Sequence, residues 1–136
     1  GHKMSPQEGE CIYRRDILGF AESELGQRMK RAAQDKKLYR EQPLVMKVGR
    51  KELDASWSGD ETVLVQGIID AYFLEGEDIV LVDYKTDRIA RGEENKLIER
   101  YKTQLEDYAS ALERMLHKKV KQKYIYSFAL RKELLL

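Results

Sequence analysis

The chain reads as an α/β fold in which a small mixed sheet is flanked by helices. Apolar residues recur at helical spacing in two separated stretches, and strand-like runs lie between and after them. The run Ile79-Val80-Leu81-Val82 is apolar on both faces. Such a strand is normally central in a sheet covered on both sides.

Residues 1–20 are mixed, and Gly1-His2-Lys3-Met4 reads as a cloning remnant ahead of an internal start. From Glu22 to Lys37, Leu25, Met29, Ala32 and Ala33 fall at three- and four-residue spacing and predict a helix. Leu38 to Val48 reads as a strand, which Pro43 demotes towards an edge or a bulge because proline cannot donate to a ladder. Gly49 to Asp60 is a polar loop around Trp57. Thr62 to Leu74, with Val63-Leu64-Val65 and Ile68-Ile69, predicts a second strand. Glu75-Gly76-Glu77-Asp78 is a turn sequence joining it to the apolar run as an antiparallel hairpin. Asn95 to His117 is the clearest helix, with a core-facing stripe of Leu97, Ile98, Tyr101, Leu105, Tyr108, Ala109, Leu112 and Leu116. Lys121 to Leu130 returns as a strand through Tyr124, Ile125, Tyr126 and Phe128. The order is helix, three strands, helix, strand. No repeat or linker interrupts it, so 20–136 reads as one domain after a lead-in over 1–19.

Apolar and charged fractions of 42% and 36% suit a globular domain with charged outer helix faces. No apolar run approaches the roughly 18 residues of a membrane helix, and the start lacks a signal-peptide pattern. The lone Cys11 excludes an internal disulfide and argues against a cysteine-ligated metal, so cytoplasmic residence is expected. A net charge of +1 does not announce a polyanion partner. The basic clusters Arg28-Met29-Lys30-Arg31 and Lys118 to Lys123 fit solvated helix faces and ends better than phosphate contacts. There is no Gly-x-x-x-x-Gly-Lys-Ser/Thr phosphate loop, which excludes an ATP-driven motor within this chain.

The chemistry sits on the hairpin. If the turn is symmetric about Gly76-Glu77, Asp70 falls opposite Asp83 on one face of the sheet. Opposed residues have Cβ atoms about 4.5–5.5 Å apart, and like charges so placed are destabilising. A divalent cation taking one oxygen from each carboxylate offsets that repulsion. Lys85, two residues beyond Asp83, projects from the same face. A metal to stabilise phosphoryl charge and activate water, with an ammonium to position that water, is what phosphodiester hydrolysis needs. The bland alternative is a pair of solvated strand-end aspartates neutralised by a nearby lysine.

Gly67-Ile68-Ile69-Asp70-Ala71-Tyr72-Phe73, Val82-Asp83-Tyr84-Lys85-Thr86-Asp87 and Tyr101-Lys102-Thr103-Gln104-Leu105-Glu106-Asp107-Tyr108 resemble three successive motifs of RecB-like nucleases, within the PD-(D/E)xK class. Residues 20–28 and Arg40-Glu41-Gln42-Pro43 further resemble AddA-type subunits of helicase–nucleases. The resemblance covers roughly residues 20–130. It implies a restriction-endonuclease-like αβββαβ core and a DNA nuclease dependent on Mg²⁺, or Mn²⁺, acting in double-strand-break repair and recombination. Asp70, Asp83 and the Tyr84 carbonyl would be metal ligands and Lys85 the catalytic lysine. Gln104 and Tyr108, four apart on one helix face, would line the site. Glu41 matches an acidic position upstream of the motifs, and equally suits a solvated strand.

The implied partners are a DNA single strand delivered by a helicase, the helicase part of the same subunit, and a second AddB-like subunit, with no membrane. One departure stands out. The family's upstream histidine has no counterpart, because His2 lies in the apparent remnant and His117 ends the long helix. The chain is therefore expected to begin after the histidine-bearing helix. Without histidine or cysteine ligands, Mg²⁺ or Mn²⁺ is favoured over zinc. The competing expectations are a nuclease-like module that holds DNA or a partner without cutting, and a stand-alone nuclease.

Overall fold

The computed structural model describes residues 18–136. The readings of Gly1-His2-Lys3-Met4 and of Cys11 lie outside the described residues. Helical residues 18–22 lead into α1 (Glu24–Gln34), β1 (Leu38–Gly49) and a short α2 (Arg50–Leu53). Then come β2 (Thr62–Glu75), β3 (Asp78–Lys85), α3 (Glu94–Leu116), β4 (Val120–Ser127) and β5 (Lys132–Leu135). The sheet order is β1-β2-β3-β4-β5, antiparallel except for the parallel β3–β4 pair that α3 connects. Parallel neighbours need such a crossover, because a tight turn only reverses the chain. This is the expected mixed sheet with helices on both faces.

The last long strand stops at Ser127, short of the Leu130 that the sequence suggests, because the chain turns there towards a further strand. Two elements are added to the sequence reading. The loop over 49–60 contains the single turn α2. A fifth strand, β5, pairs antiparallel with β4 beyond the last strand that sequence periodicity marks. It is four residues long and buries only Leu134, too little alternation to register as a strand. It nevertheless has structural work, because Glu133 accepts the backbone N–H of Leu25 at 2.9 Å and so satisfies a donor in the first turn of α1. Ser23 caps the same end, accepting from Gly26 N, which starts α1 two residues later than Glu22.

β3 is central as expected, with Ile79, Val80, Leu81 and Val82 all fully buried. Ile79 and Leu81 face α3, in a cluster with Leu97, Leu105 and Leu112. Val80 and Val82 face α1 and join Leu25, Met29, Ala71 and Phe73. Truncating a buried leucine of this kind to alanine costs about 2–5 kcal/mol. The hairpin turn is tight, with Glu75 paired to Asp78. Gly76 has φ 63 and Glu77 does not, the sign pattern of a II′ turn that matches strand twist. No helix among the described residues is long and apolar enough to cross a membrane.

The β1–β2 pair contains an irregularity. Arg40 pairs with Ala71 and Gln42 with Ile69, so Glu41 and Asp70 are both left out of the ladder while the register is kept. Glu41 has φ 50, a left-handed conformation uncommon for a side chain of its type. Facing reverses there on both strands. Ile69 and Tyr72 lie in the α3-side cluster, whereas Ala71 lies on the α1 side. Beyond this point the face that α1 would cover carries exposed Val45, Leu64 and Ile68.

Arg28 belongs to none of the solvated faces anticipated for the basic clusters. Its Nε and Nη2 grip Glu75 at 2.9 and 2.7 Å, Nη2 also donates to Gln122 at 2.6 Å, and the guanidinium lies over Phe73 and Tyr124. Lys121 adds a second cation on Glu75 at 2.9 Å. The arginine therefore clamps α1 to the ends of β2 and β4 and is spent inside the fold. Its hydrogen bond holds the Glu75 carboxyl down at about 2, against the upward push of burial. A carboxyl lowered on folding contributes stability that is full above about pH 4 and is lost as pH falls through 2. Glu75→Gln should cost about 1–3 kcal/mol at pH 7 and much less at pH 2, measured by urea unfolding. Equal losses at both pH values would refute the charged clamp.

Candidate active site

Five of the sequence-predicted side chains, Asp70, Asp83, Lys85, Gln104 and Tyr108, converge where β3 ends beneath α3. The β2–β3 register runs from Glu75–Asp78 to Ala71–Val82, and its continuation sets Asp70 opposite Asp83. Asp70 accepts the backbone N–H of Tyr84 at 2.9 Å. Asp83 is 4% exposed, and its carboxyl lies within hydrogen-bonding reach of that of Asp70. Lys85 Nζ stands 2.8 Å from Asp83 Oδ2 and donates to Gln104 Oε1 at 3.1 Å. Tyr108 is buried beside the two acids, and burial together with their charges raises its phenol.

Gly67 makes room for that arrangement. A Cβ there would stand 2.7 Å from Met46 Cε and 3.3 Å from the Tyr108 ring, so a side chain would displace the Met46 methyl and crowd the tyrosine. Tyr84 faces the other way, with its ring against Phe20 and Phe128 and its hydroxyl 3.9 Å from Met29 Sδ. Burial pushes that phenol up to about 12. Tyr84 thus contributes to the carboxylate side only through its backbone. Glu41 is exposed, at the skipped position across from Asp70, and has no hydrogen bond there that would tie it to the acids. His117 closes α3 as its C-cap, with φ 54, more than two turns beyond Tyr108.

The electrostatics are unbalanced, since one ammonium serves two carboxylates. Burial, then the hydrogen bond shared with Asp70, pushes the Asp83 carboxyl up to about 7 against the pull of Lys85. Asp83 Oδ2 meets the lysine off hydrogen-bond geometry and is left as a buried oxygen with no directed donor. Among the described residues the Lys85 ion pair is thus the only partner of this oxygen, and two carboxylates sharing one ammonium leave room for a further cation or donor. Paired carboxylate oxygens suit a hard ion such as Mg²⁺, which keeps several waters of its own and needs few protein ligands. Among the described residues no group of three or more His, Cys, Asp or Glu side chains could hold a metal. The donor set fits Mg²⁺ or Mn²⁺ and does not fit a closed zinc site.

Two residues escaped the sequence reading. Tyr101, which falls in the apolar stripe, lies with its ring face 3.9 Å from Lys85 Nζ. Asp87, at the end of the Val82–Asp87 motif, accepts the Tyr101 hydroxyl at 2.8 Å and Arg100 Nη1 at 2.6 Å. Their only sequence signal was membership of the same motifs as Lys85 and Gln104.

The chain is similar to proteins named as A-type subunits of ATP-dependent helicase/nucleases. That of Clostridium perfringens (strain SM101) is 43% identical across 96% of this chain, and that of Acetivibrio thermocellus 43% across 92%. That of Clostridium beijerinckii is 39% identical across 94%. The matches take in 11%, 10% and 11% of those proteins, so the chain spans about a tenth of the length of the curated relatives it matches. No protein-family model matches the chain.

A carboxyl raised on folding contributes stability present below about pH 4, its unfolded range, and lost as pH rises through 7. Asp83→Asn removes that loss and leaves one carboxylate for one ammonium. With chelator present, the variant should gain melting temperature relative to wild type on going from pH 5 to pH 8. A difference that is the same at both pH values would show that the Asp83 charge is not under strain.

Proposed function

We propose that this chain is the nuclease module of an ATP-dependent helicase–nuclease, a restriction-endonuclease-like αβββαβ core that hydrolyses DNA phosphodiesters in break repair and recombination. The observation that carries this is the opposed Asp70–Asp83 pair, with Asp83 buried, whose only ammonium among the described residues is that of Lys85, 2.8 Å from Asp83 Oδ2. Similarity to much longer proteins named as helicase/nuclease subunits supports the setting.

Asp70, Asp83 and the Tyr84 carbonyl would hold Mg²⁺ or Mn²⁺. When bound, that ion neutralises phosphoryl charge and acidifies a coordinated water. Lys85 carries an ammonium to the same place, where it orients the attacking water and offsets negative charge as the phosphoryl oxygens gain it. Gln104 holds that ammonium from α3, its Oε1 accepting a hydrogen bond from Lys85 Nζ at 3.1 Å. Tyr108 walls the carboxylates from solvent and keeps the local dielectric low, which strengthens both effects. The substrate is a DNA single strand fed by the helicase portion of a longer polypeptide, and the partner is an AddB-like protein.

One observation favours a second reading. With no third acidic, histidine or cysteine ligand among the described residues, the chain is also suited to hold DNA or a partner without cutting.

Mg²⁺ or Mn²⁺ titration with end-labelled single-stranded DNA separates the two. Metal-dependent cleavage is expected in wild type and should vanish in Asp83→Ala. Lys85→Ala should slow cleavage by about 10²–10³-fold while DNA affinity and its salt slope change by a single-charge increment. Cleavage by Lys85→Ala at the wild-type rate would sink the catalytic assignment. DNA binding without metal-dependent cutting in wild type would favour the holding module.

A further inference from the structure

The lysine of the site is held by more than its carboxylate and amide partners. Lys85 Nζ lies 3.9 Å from the centroid of the Tyr101 ring, well inside the range in which an ammonium is attracted to an aromatic face. The tyrosine is itself tethered. Its hydroxyl donates to both Asp87 oxygens, at 3.0 and 2.8 Å, and Arg100 holds Asp87 Oδ2 from the preceding residue of α3. The Asp87 side chain is 17% exposed and that of Lys85 11%, so both ends of the chain of contacts are shielded from water. A ring face attracts an ammonium without consuming one of its three N–H donors in a directed bond. Asp83 and Gln104 engage the ammonium from two directions, and Tyr101 supplies a third fixed surface.

We propose that Tyr101, tethered by Asp87, is a positioning residue that fixes the Lys85 ammonium by presenting its ring face to it. The proposal rests on the nuclease reading for its effect on cleavage, though not for the contact itself. Asp87 sits two residues beyond Lys85 on the chain and Tyr101 begins the helix face that carries Gln104 and Tyr108. The tether therefore locks the end of β3 to α3 at the lysine. Loss of the ring would leave Lys85 charged and paired but free to swing. A misplacement of about 1 Å at a reacting group can cost on the order of 100-fold in rate.

Two measurements on the full chain test it, with Tyr101→Leu, Tyr101→Phe and Asp87→Asn. In the first, the Lys85 side-chain methylene resonances next to Nζ are assigned by comparison with Lys85→Arg. A proton above a ring face is shielded, so in wild type they should lie upfield of the other lysines. Tyr101→Leu should abolish that shift and Asp87→Asn should reduce it. In the second, Tyr101→Leu should lower kcat for Mg²⁺-dependent cleavage of single-stranded DNA by on the order of 100-fold with KM nearly unchanged. Tyr101→Phe should fall between Leu and wild type. Wild-type resonances at the ordinary lysine position, or unmoved by Tyr101→Leu, would overturn the proposal whether or not the chain cuts DNA. An upfield shift in a wild type that does not cut would uphold the contact and defeat the nuclease reading instead. Cleavage by Tyr101→Leu at the wild-type rate would overturn positioning while leaving that reading intact.

Discussion

The register of the β2–β3 hairpin is the constraint on which the rest of the site depends. A two-residue turn begun by Gly76 sets Glu75 against Asp78, and from there each pair follows without slack to Ala71 and Val82. Nothing in that ladder can relax the next position, where two carboxylates meet. Because β3 is buried on both faces, the acids cannot turn outward into solvent without dragging core residues with them. The surroundings adapt instead. Asp70 takes a backbone N–H, Lys85 folds back on Asp83, and α3 brings Gln104 and Tyr101 down onto the ammonium.

That arrangement is poor for stability and well suited to chemistry. A fold optimised only to persist would neutralise both acids or replace them, since an uncompensated buried charge is among the costliest features a core can carry. Asp83 Oδ2 instead has only an ion pair with Lys85, off hydrogen-bond geometry, and that one lysine is asked to balance two carboxylates. Local electrostatic strain of this kind clusters at functional sites. By contrast, the Arg28–Glu75–Lys121 group is matched in its hydrogen bonds and ties helix to sheet. Two charged clusters on the same hairpin thus have opposite characters, one closed and one open.

Much of the fold was legible in the sequence because its signals are local. Turn chemistry and a period of two are properties of neighbouring residues, so the opposition of Asp70 and Asp83 could be read before any coordinates. The long helix was legible for the same reason, its stripe recurring turn after turn. What could not be read depends on distant segments meeting. Arg28 and Glu75 are 47 residues apart, and nothing in Arg28-Met29-Lys30-Arg31 distinguishes the inward arginine from its neighbours. Asp87 and Tyr101 meet only because the connection into α3 folds back. β5 is too short to show a period, and its role at the head of α1 comes from the remote Leu25–Glu133 contact. The side chains that converge at the end of β3 were marked by register and motif, whereas the partners around them were not.

The paired irregularity at Glu41 and Asp70 limits how the gene can change length. Each strand carries one residue outside the ladder, and because there is one on each side the pairing before and after stays in step. Loss of a single codon from either strand would break that parity, slide one strand past the other and send Leu44 and Met46, or Val65 and Gly67, to the wrong face. Loss of one codon from both strands would restore the ladder, but it would delete Asp70 itself or move a neighbour into its place. Insertions and deletions in this hairpin must therefore come as compensating pairs if the ladder is to stay in step.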